Sequence, residues 1–402
     1  MESVLIIGAG ASGSVATKKC AMDRETFKKI HLASRRLERC QNIQKECQSD
    51  ITISEVDADD QKQVIKLIEK QKPDIVINLA LPYQNLSIMD ACLATGVHYL
   101  DTAIDEIREK ITFGYANQWP YRDRYKEKGI IGILGCGFDP GVVNAFCAYA
   151  QEKFFDEISQ IDIIDCNDGN HGQPFATNFN SEINIREVIQ RGRYWKDGQW
   201  IHVPPFDIST IIDFPGIGPR KSYLIDHEEE ESLIHNIRGL KLIRFWMTFS
   251  DSYIKHLEVL QNVGITRIDP VQYNGVDIVP LQFLVHLLPE PSSLAESYTG
   301  KTSIGTIITG IKNGKKQTKV LYNVCNHAAC AREVGSQAIS YTTGVPAVAG
   351  AKMVLNGQWI GKGVFNVEEL PSEPFLKEVA KQGLPWNVEN YEPVSLQERV
   401  AA

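Results

Sequence analysis

The sequence predicts an α/β fold in which an N-terminal doubly wound parallel sheet is combined with an inserted α+β domain. Three observations predict this fold. A glycine-rich loop follows the first apolar run, strand-like and helix-like runs alternate to about residue 135, and longer strands with a hairpin follow beyond about residue 150. The 402 residues are enough for two domains.

The first element is the apolar strand Val4–Ile7, which leads into a GxGxxG loop at residues 8–13. In such a loop the first glycine permits a tight turn, the second lets the backbone approach a pyrophosphate, and the third allows the helix to pack closely on the strand. The phosphates then lie at the helix N-terminus. The pattern predicts a Rossmann-type dinucleotide site formed by Gly8, Gly10, Ala11, Ser12 and Gly13.

Further apolar runs continue the sheet, and most are separated by polar stretches long enough for one helix. These runs are Ile30–Ala33, Ile51–Val56, Ile75–Leu79, Val97–Leu100 and Ile130–Leu134. Together with the first strand they make the layout of a doubly wound sheet, in which ligands bind beyond the carboxyl ends of the strands. The residues just after each strand are therefore candidates for binding and chemistry.

The second half of the chain has a different pattern. It contains predicted strands at Ile161–Cys166, Trp200–Val203 and Leu240–Thr248, an amphipathic helix at Tyr253–Val263, and strands 302–309 and 318–324 joined by a turn at residues 312–315. The tail is expected to be helical from Cys330 to Pro346 and to end in a strand-like segment near residues 358–364. We therefore expect a nucleotide-binding domain at 1–142, an α+β substrate-binding and dimerisation domain at 143–330, and a segment at 331–402 that returns to the first domain.

The residues after the second strand indicate which nicotinamide cofactor is used. Many NAD sites carry an acidic residue there, whereas this chain has Ser34, Arg35 and Arg36. A hydroxyl and two guanidinium groups suit a 2′-phosphate, so the sequence predicts NADPH. The alternative is that Arg35, Arg36 and Arg39 form the solvated face of the next helix.

Residues after two later strands are also expected to contact the cofactor, and this expectation rests only on their position in the fold. Asp57 and Ala58 follow the third strand and are placed near the adenine, and Asn78, Leu79 and Ala80 follow the fourth strand and are placed near the nicotinamide ribose.

Composition restricts the other classes of partner. The net charge of −8 argues against a nucleic-acid partner. There is no apolar run of membrane-spanning length, and the chain enters a strand at once, so we expect a cytoplasmic protein without a signal peptide or a membrane partner. The nine scattered cysteines indicate reduced thiols. Cys325, His327 and Cys330 resemble a metal site only faintly, and no metal is expected.

Four motifs together resemble the saccharopine dehydrogenase family, over nearly the whole chain. They are the loop 8–13, the turn 33–35, the run 98–102 and the run Gly-Cys-Gly-Phe-Asp-Pro-Gly at 135–141. Residues 168–171 and 178–187 resemble the branch of that family that condenses L-aspartate 4-semialdehyde with putrescine or 1,3-diaminopropane and reduces the imine with NADPH. The resemblance implies an enzyme of bacterial polyamine biosynthesis, with small-molecule substrates and a homodimeric assembly.

Such a reaction needs a group that supports the cationic iminium. Asp101, at the end of the fifth strand, is the predicted catalytic carboxylate, and its alternative role is a turn or helix cap. Asp139 is followed by a proline, a pattern that favours a structural role for Asp139 as the N-cap of a helix. Asp139 and Phe138 also belong to the predicted substrate loop. Cys136 is placed in the nicotinamide pocket or, alternatively, in the core.

The segment from residue 179 to residue 187 is expected to select the amine. Glu182 is assigned to the distal ammonium and Arg186 to the carboxylate of the semialdehyde, and the alternative is a surface pair on one helix face. His171 is a loop residue within reach of the site, and it and Asp168, three residues earlier, are the next candidates for the diamine site. The acidic run Glu228–Glu231 is expected to be a solvated helix start.

Two other functions stay open. A saccharopine-forming or other amino-acid oxidoreductase of the same family would need more than one arginine to bind carboxylates, which Glu182 speaks against. A non-catalytic NADPH-binding protein is also compatible, because a fold alone does not imply catalysis.

Overall fold

The computed structural model describes residues 2–47, 49–109 and 114–392, and the backbone of 399–400, so the predicted segment 331–402 is described only in part. The strands are β1 Ser3–Ile7, β2 Lys29–Ser34, β3 Thr52–Glu55, β4 Ile75–Asn78, β5 His98–Asp101, β6 Ile131–Leu134, β7 Glu157–Asn167, β8 Gly192–Lys196, β9 Gln199–Val203, β10 Ile208–Phe214, β11 Gly218–Ile225, β12 Leu242–Thr248, β13 Val271–Tyr273, β14 Val276–Ile278, β15 Lys301–Lys312, β16 Lys315–Asn326, β17 Gly363–Asn366, β18 Trp386–Asn390 and β19 Arg399–Val400.

The α-helices alternate with these strands in the first third of the chain and are spread among them afterwards. They are α1 Ala11–Met22, α2 Leu37–Glu46, α3 Gln61–Gln71, α4 Asn85–Thr95, α5 Tyr121–Lys128, α6 Val142–Lys153, α7 Ser181–Ile189, α8 Glu229–Asn236, α9 Asp251–Asn262, α10 Pro280–Leu287, α11 His327–Val334, α12 Ala338–Leu355 and α13 Ser372–Lys381.

The first sheet is parallel and has the order β17-β6-β5-β4-β1-β2-β3. Its inner strands β1, β4 and β6 are buried on both faces, which explains their continuous apolar sequences, whereas the edge strand β3 is partly exposed. In β1, Val4 and Ile6 belong to one core cluster and Leu5 and Ile7 to another, as the two-residue period of a strand requires. The predicted doubly wound α/β sheet is confirmed, and all six predicted strands are present as β1–β6. The seventh strand, β17, arrives from near the end of the chain.

The second sheet is mixed and mostly antiparallel. Its order is β18-β16-β15-β7-β12-β11-β10-β19, with β8 and β9 attached to β12. The predicted hairpin joins β15 and β16, where Asn313 and Gly314 both have positive φ, as the favoured two-residue turn requires. The predicted helix at 253–263 is α9. The second hairpin, β13–β14, was not predicted from its short strands.

The tail differs from the expectation that its helix ends near Pro346. Helix α12 runs through Pro346 to Leu355. Proline removes one helical hydrogen bond and usually breaks or kinks an isolated helix. Here α12 is buried along most of its length between α1, α13 and the first sheet. Tertiary packing therefore holds the helix together across the proline.

Candidate active site

The glycine loop has the geometry that a pyrophosphate needs. Gly8 has φ +117°, and a Cβ there would lie 2.2 Å from the Leu79 carbonyl oxygen. A Cβ on Gly13 would lie 1.9 Å from the Gly8 oxygen, so the helix can approach the strand only if this residue is glycine. Gly10 has open space beside it and precedes α1, whose first turn has no side-chain cap. The free N–H groups of α1 thus face an open space that fits a phosphate.

The cationic residues after β2 only partly match the sequence expectation. Arg36 precedes α2, and Arg36 and Arg39 line the cleft, whereas Ser34 and Arg35 are not among its lining residues within the described chain. Both cleft arginines contact Glu290, which lies across the cleft. The pair best placed for a 2′-phosphate is therefore Arg36 and Arg39.

The other predicted cofactor residues have different surroundings. Leu79 and Ala80 line the cleft. Asn78 is buried: its Nδ2 donates to Asn85 and to Tyr99 Oη, and its Oδ1 accepts from the Ala80 N–H. Asn78 therefore stabilises the loop after β4 by hydrogen bonds made inside the protein. Asp57 and Ala58 are not among the described lining residues.

The cofactor cleft is part of one cavity of about 380 Å³, which lies between the carboxyl edge of the first sheet and the second domain. The first sheet contributes the ends of β4, β5 and β6, while α7, β7 and β12 contribute the opposite wall. This is the edge at which a doubly wound sheet binds its ligands. Substrate and the reactive end of the cofactor can meet here.

The deep end of the cavity is strongly acidic. Five carboxyl groups line it, and one imidazole lies among them. The acidic residues are Glu106, Asp139, Asp165, Glu187 and Glu228. Asp165 Oδ1 and Glu187 Oε1 are buried and have no hydrogen-bond partner in the described part of the chain. Because a buried acceptor without a partner is costly, these oxygens indicate a place for a cationic donor.

His227 is the cation of this cluster. Its ring stacks on Phe245 at 4.1 Å, its Nδ1 is hydrogen-bonded to Glu229, and its Nε2 lies 3.8 Å from Glu187 Oε1. Burial alone would lower the pKa of His227, but the carboxylates of Glu229, Glu228 and Glu187 raise it well above its usual range. Glu106 is ion-paired with Arg186 at 3.4 Å. One imidazolium cannot balance the other four lining carboxyl groups, so the cavity favours a positively charged ligand.

Burial acts on the acids in the opposite sense. It raises the pKa of Glu187 to about 8 and that of Asp165 and Glu228 to about 7. Asp139 lies within hydrogen-bonding reach of Asp165, and burial together with this neighbour raises the pKa of Asp139 well above its usual range. Two adjacent carboxyl groups in a buried site retain a proton near neutral pH. The pair Asp139–Asp165 therefore contains a proton donor inside the cavity.

The proposed N-cap role of Asp139 is wrong. Helix α6 begins at Val142 with Gly141 as its N-cap, and the Gly141 N–H donates to the side chain of Asn144. Asp139 is left free to line the cavity. Phe138 and Cys136, from the same loop, are buried and are not among the described lining residues. Phe138 packs edge-on against Phe146, and the Cys136 thiol contacts the Pro346 carbonyl oxygen at 3.5 Å.

The structure does not favour the catalytic role assigned to Asp101. Its side chain is buried below the cavity floor, which Thr102, Ala103 and Ile104 form. Its oxygens accept from Tyr99 Oη at 2.8 Å, Gln118 Nε2 at 2.7 Å and the Gly135 N–H at 2.7 Å. Although burial raises the pKa of Asp101 to about 7, the group ties β5 to the loop after β6 and is occupied by protein donors.

We therefore expect Asp101→Asn to lower stability rather than to change substrate recognition. The asparagine amide would face hydrogen-bond donors, and a buried donor without an acceptor costs about 1–3 kcal/mol. Chemical denaturation measures that loss, and the Michaelis constants of the folded variant should match those of the wild type. A fully stable variant with lost turnover would restore the catalytic assignment.

The amine-selecting roles of Glu182 and Arg186 are also not supported. The face of α7 toward the cavity carries Ile183 and Glu187, one turn apart. Glu182 Oε1 accepts from Tyr83 Oη at 3.1 Å. Arg186 is 1% exposed and donates to the carbonyl oxygens of Ile107 and Arg108, both at 2.8 Å. The segment is helical, as the Glu182–Arg186 assignment assumed, but successive residues of a helix are rotated by about 100°, so these two side chains lie on a different face from Glu187.

The remaining candidates lie outside the described cavity wall. Asp168 forms a two-bond ion pair with Arg220 at 2.8 and 2.9 Å. His171 is in the loop after β7, edge-on to Tyr298. Among the described residues no group of three or more metal-ligating side chains is found. Cys325 and Cys330 lie 3.2 Å apart and buried, and His327 stacks on Tyr298 at 3.8 Å.

The sequence missed the most informative residues of the site. The acidic run at 228–231 was expected to be solvated, but Glu228, Glu229 and Glu230 are buried at the start of α8. Asp165 and His227 were not singled out at all. A signal was present in β7, where Asp162 and Asp165 interrupt the otherwise apolar run Ile161–Cys166.

The fold and this cleft define an NADP-dependent oxidoreductase. The model of the saccharopine dehydrogenase NADP binding domain matches residues 4–133, and that of the saccharopine dehydrogenase C-terminal domain matches residues 137–384. The chain belongs to the saccharopine dehydrogenase family. In the described part of the chain, no helix combines the length and apolarity needed to cross a membrane.

Three relatives cover almost the whole chain. A carboxyaminopropylagmatine dehydrogenase of Synechocystis is 54% identical over 96% of this chain and 97% of that protein. Carboxynorspermidine synthases of Vibrio alginolyticus and Vibrio cholerae are 41% and 40% identical, each over 97% of this chain and 98% of theirs. The apo saccharopine dehydrogenase (L-Glu forming) of Saccharomyces cerevisiae has a TM-score of 0.73 at 15% identity, covering 98% of this chain and 100% of that one, and supports the fold.

Proposed function

We propose that the protein couples L-aspartate 4-semialdehyde reductively to an aliphatic amine that carries a second cationic group, using NADPH. The product is a carboxylated polyamine. The observation that carries this proposal is the acidic end of the cavity, where five carboxyl groups surround one imidazole. An amine with a charged distal group would supply the donors that the buried oxygens of Asp165 and Glu187 lack.

The names of the relatives narrow the choice of amine substrate. The sequence-based expectation was putrescine or 1,3-diaminopropane, and the name of the Synechocystis relative adds agmatine, a primary amine with a guanidinium group at its other end. That relative is more similar to this chain than the two Vibrio synthases, at 54% against 41% and 40% identity. A planar guanidinium offers five N–H donors, which suits a wall of several carboxylates better than an ammonium does. We therefore favour agmatine.

The residues of the cavity have separate tasks in this reaction. The glycine loop, Arg36 and Arg39 would hold NADPH, which supplies a hydride when bound. Glu187 and Glu228 would hold the distal cation and leave the reacting amine near the ends of β5 and β6. The carbinolamine formed from amine and aldehyde must lose water, and the Asp139–Asp165 pair can donate the proton that its oxygen needs.

The saccharopine-forming alternative fits less well. It would bring several carboxylates into the cavity, and each would need a cationic partner. The cationic residues of the described wall are Arg36 and Arg39 at the cofactor end, together with His227, which the surrounding acids already neutralise. The homodimer expected from the resemblance stays a prediction.

The proposal is tested by NADPH oxidation with L-aspartate 4-semialdehyde and one amine at a time. We expect activity with agmatine, lower kcat/KM with putrescine and 1,3-diaminopropane, and none with lysine. Mass spectrometry of the product should show the amine extended by the carboxyaminopropyl unit. Preference for lysine with an oxo acid would establish the saccharopine alternative, and inactivity with every amine would favour a non-catalytic binding protein.

A further inference from the structure

A segment of the second domain crosses the cofactor cleft. Residues Leu288–Ser292 follow α10 and line the same cavity as Gly10, Ala11 and Ser12 of the glycine loop. The segment reads Leu-Pro-Glu-Pro-Ser, so Glu290 is its one charged residue. Each flanking proline has its φ fixed near −65°, which limits the conformations that the segment can adopt.

The carboxylate of Glu290 is directed at the arginines assigned above to the 2′-phosphate. Arg39 Nη2 donates to Glu290 Oε1 at 2.5 Å, and Arg36 Nη1 lies 3.6 Å from the same oxygen. The Glu290 side chain is 54% exposed and that of Arg36 is 62% exposed, so a ligand can reach both groups. The adenosine end of the cleft therefore contains two cations that are already paired with an anion.

We propose that Glu290 is a specificity-determining residue that competes with the 2′-phosphate of NADP(H) for Arg36 and Arg39. A phosphate monoester carries a charge of roughly −1.5 to −2 near neutral pH, so it repels a carboxylate that is bound to the same guanidinium. NADP(H) must displace Glu290 in order to bind. NAD(H) does not, because its uncharged 2′-hydroxyl can donate to a carboxylate. Glu290 thus lowers affinity for NADP(H) selectively and narrows the preference for it over NAD(H).

This inference rests on the assignment of Arg36 and Arg39 to the 2′-phosphate. The test is calorimetric titration of the full chain with NADP⁺ and, separately, with NAD⁺ at low salt. Since a charge-assisted contact at a partly exposed site contributes about 1 kcal/mol, Glu290→Gln should tighten NADP⁺ binding about fivefold. Binding of NAD⁺ should stay within about twofold or weaken. The gain for NADP⁺ should shrink at high salt, because exposed charges are then screened.

Glu296→Gln is the matched control. Glu296 is exposed, lies six residues further along the chain and is not among the cavity-lining residues, so its loss changes the net charge equally. In an Arg39→Ala background, Glu290→Gln should lose most of its effect. If Arg39→Ala leaves NADP⁺ affinity unchanged, the phosphate assignment itself is wrong. If Arg39→Ala weakens NADP⁺ binding but Glu290→Gln does not tighten it beyond the control, the role of Glu290 is overturned.

Discussion

Glu187→Gln is expected to raise the Michaelis constant for the amine about a hundredfold at pH 8.5 while changing that for the semialdehyde little. Glu187 is buried and lines the acidic end of the cavity, and its Oε1, 3.8 Å from His227 Nε2, accepts no hydrogen bond within the described residues. Removing one partner of a buried charge pair typically costs about 3–5 kcal/mol, which corresponds to at least two powers of ten. The measurement is initial rate against amine concentration at saturating NADPH and semialdehyde.

The ionisation of Glu187 also predicts how the Michaelis constant for the amine changes with pH. Burial raises the pKa of Glu187 to about 8, so the carboxyl is mostly protonated below that pH and attracts a cation poorly. The wild-type Michaelis constant for the amine should therefore fall as pH rises through about 8, and the glutamine variant should lose that dependence. Glu182→Gln, on the same helix but outside the described cavity wall, should behave as the wild type. Equal effects of the two variants would contradict the proposed amine site.

Asp139→Asn is expected to lower kcat by a factor of about 100 to 10,000, the range for loss of a positioned general acid. Asp139 lines the cavity beside Asp165, and an amide cannot share or donate the proton that this pair holds. In the wild type Asp165 ionises first, with a pKa of about 7, while Asp139 keeps the remaining proton, so kcat should decline only at more alkaline pH, where the pair loses that proton. Rapid-mixing measurements of NADPH oxidation across pH 6–9 would show whether the variant lacks this limb.

A control variant outside the cavity distinguishes the loss of the proton donor from the loss of one negative charge. Asp168→Asn removes a carboxylate paired with Arg220 at the surface and should leave kcat within about twofold. NADP⁺ binding by Asp139→Asn should also be unchanged, since the cofactor is assigned to the glycine loop, Arg36 and Arg39. Normal turnover in Asp139→Asn would remove the Asp139–Asp165 pair as the proton source.

The fold was predictable because local sequence patterns indicate each strand and loop of the first sheet. Continuous apolar runs, helix-length polar stretches and a loop that tolerates only glycine at positions 8 and 13 are each visible within a few residues. For the edge strand β17 the sequence indicated a strand-like segment near residues 358–364, but not its pairing with β6, which lies more than 200 residues earlier in the chain. Pairing over such a distance leaves no local signal.

The site was less predictable because its chemistry depends on which way side chains point. The assumed helix at 182–186 and the acidic run at 228–231 lie in α7 and at the start of α8, but the sequence did not show that Glu187 rather than Glu182 faces the cavity, or that Glu229 is buried. Acidic residues at a helix start are normally solvated, so the burial of this run depends on tertiary packing alone. The position after β2 placed the arginine cluster near the cleft, but the sequence did not show that Arg36 and Arg39 line it and Arg35 does not, because that depends on how the second domain packs against it.

The late return of the chain to the first sheet has a consequence for folding during synthesis. A ribosome releases the glycine loop and β1–β6 first, but the edge of β6 is unpaired until residues 363–366 emerge, and α12, which packs on α1 and on β4, emerges only shortly before them. Until then an apolar sheet face and an open strand edge are exposed on the nascent chain. Such exposure favours aggregation, so the enzyme should depend on holdase chaperones until its C-terminal segment has been synthesised.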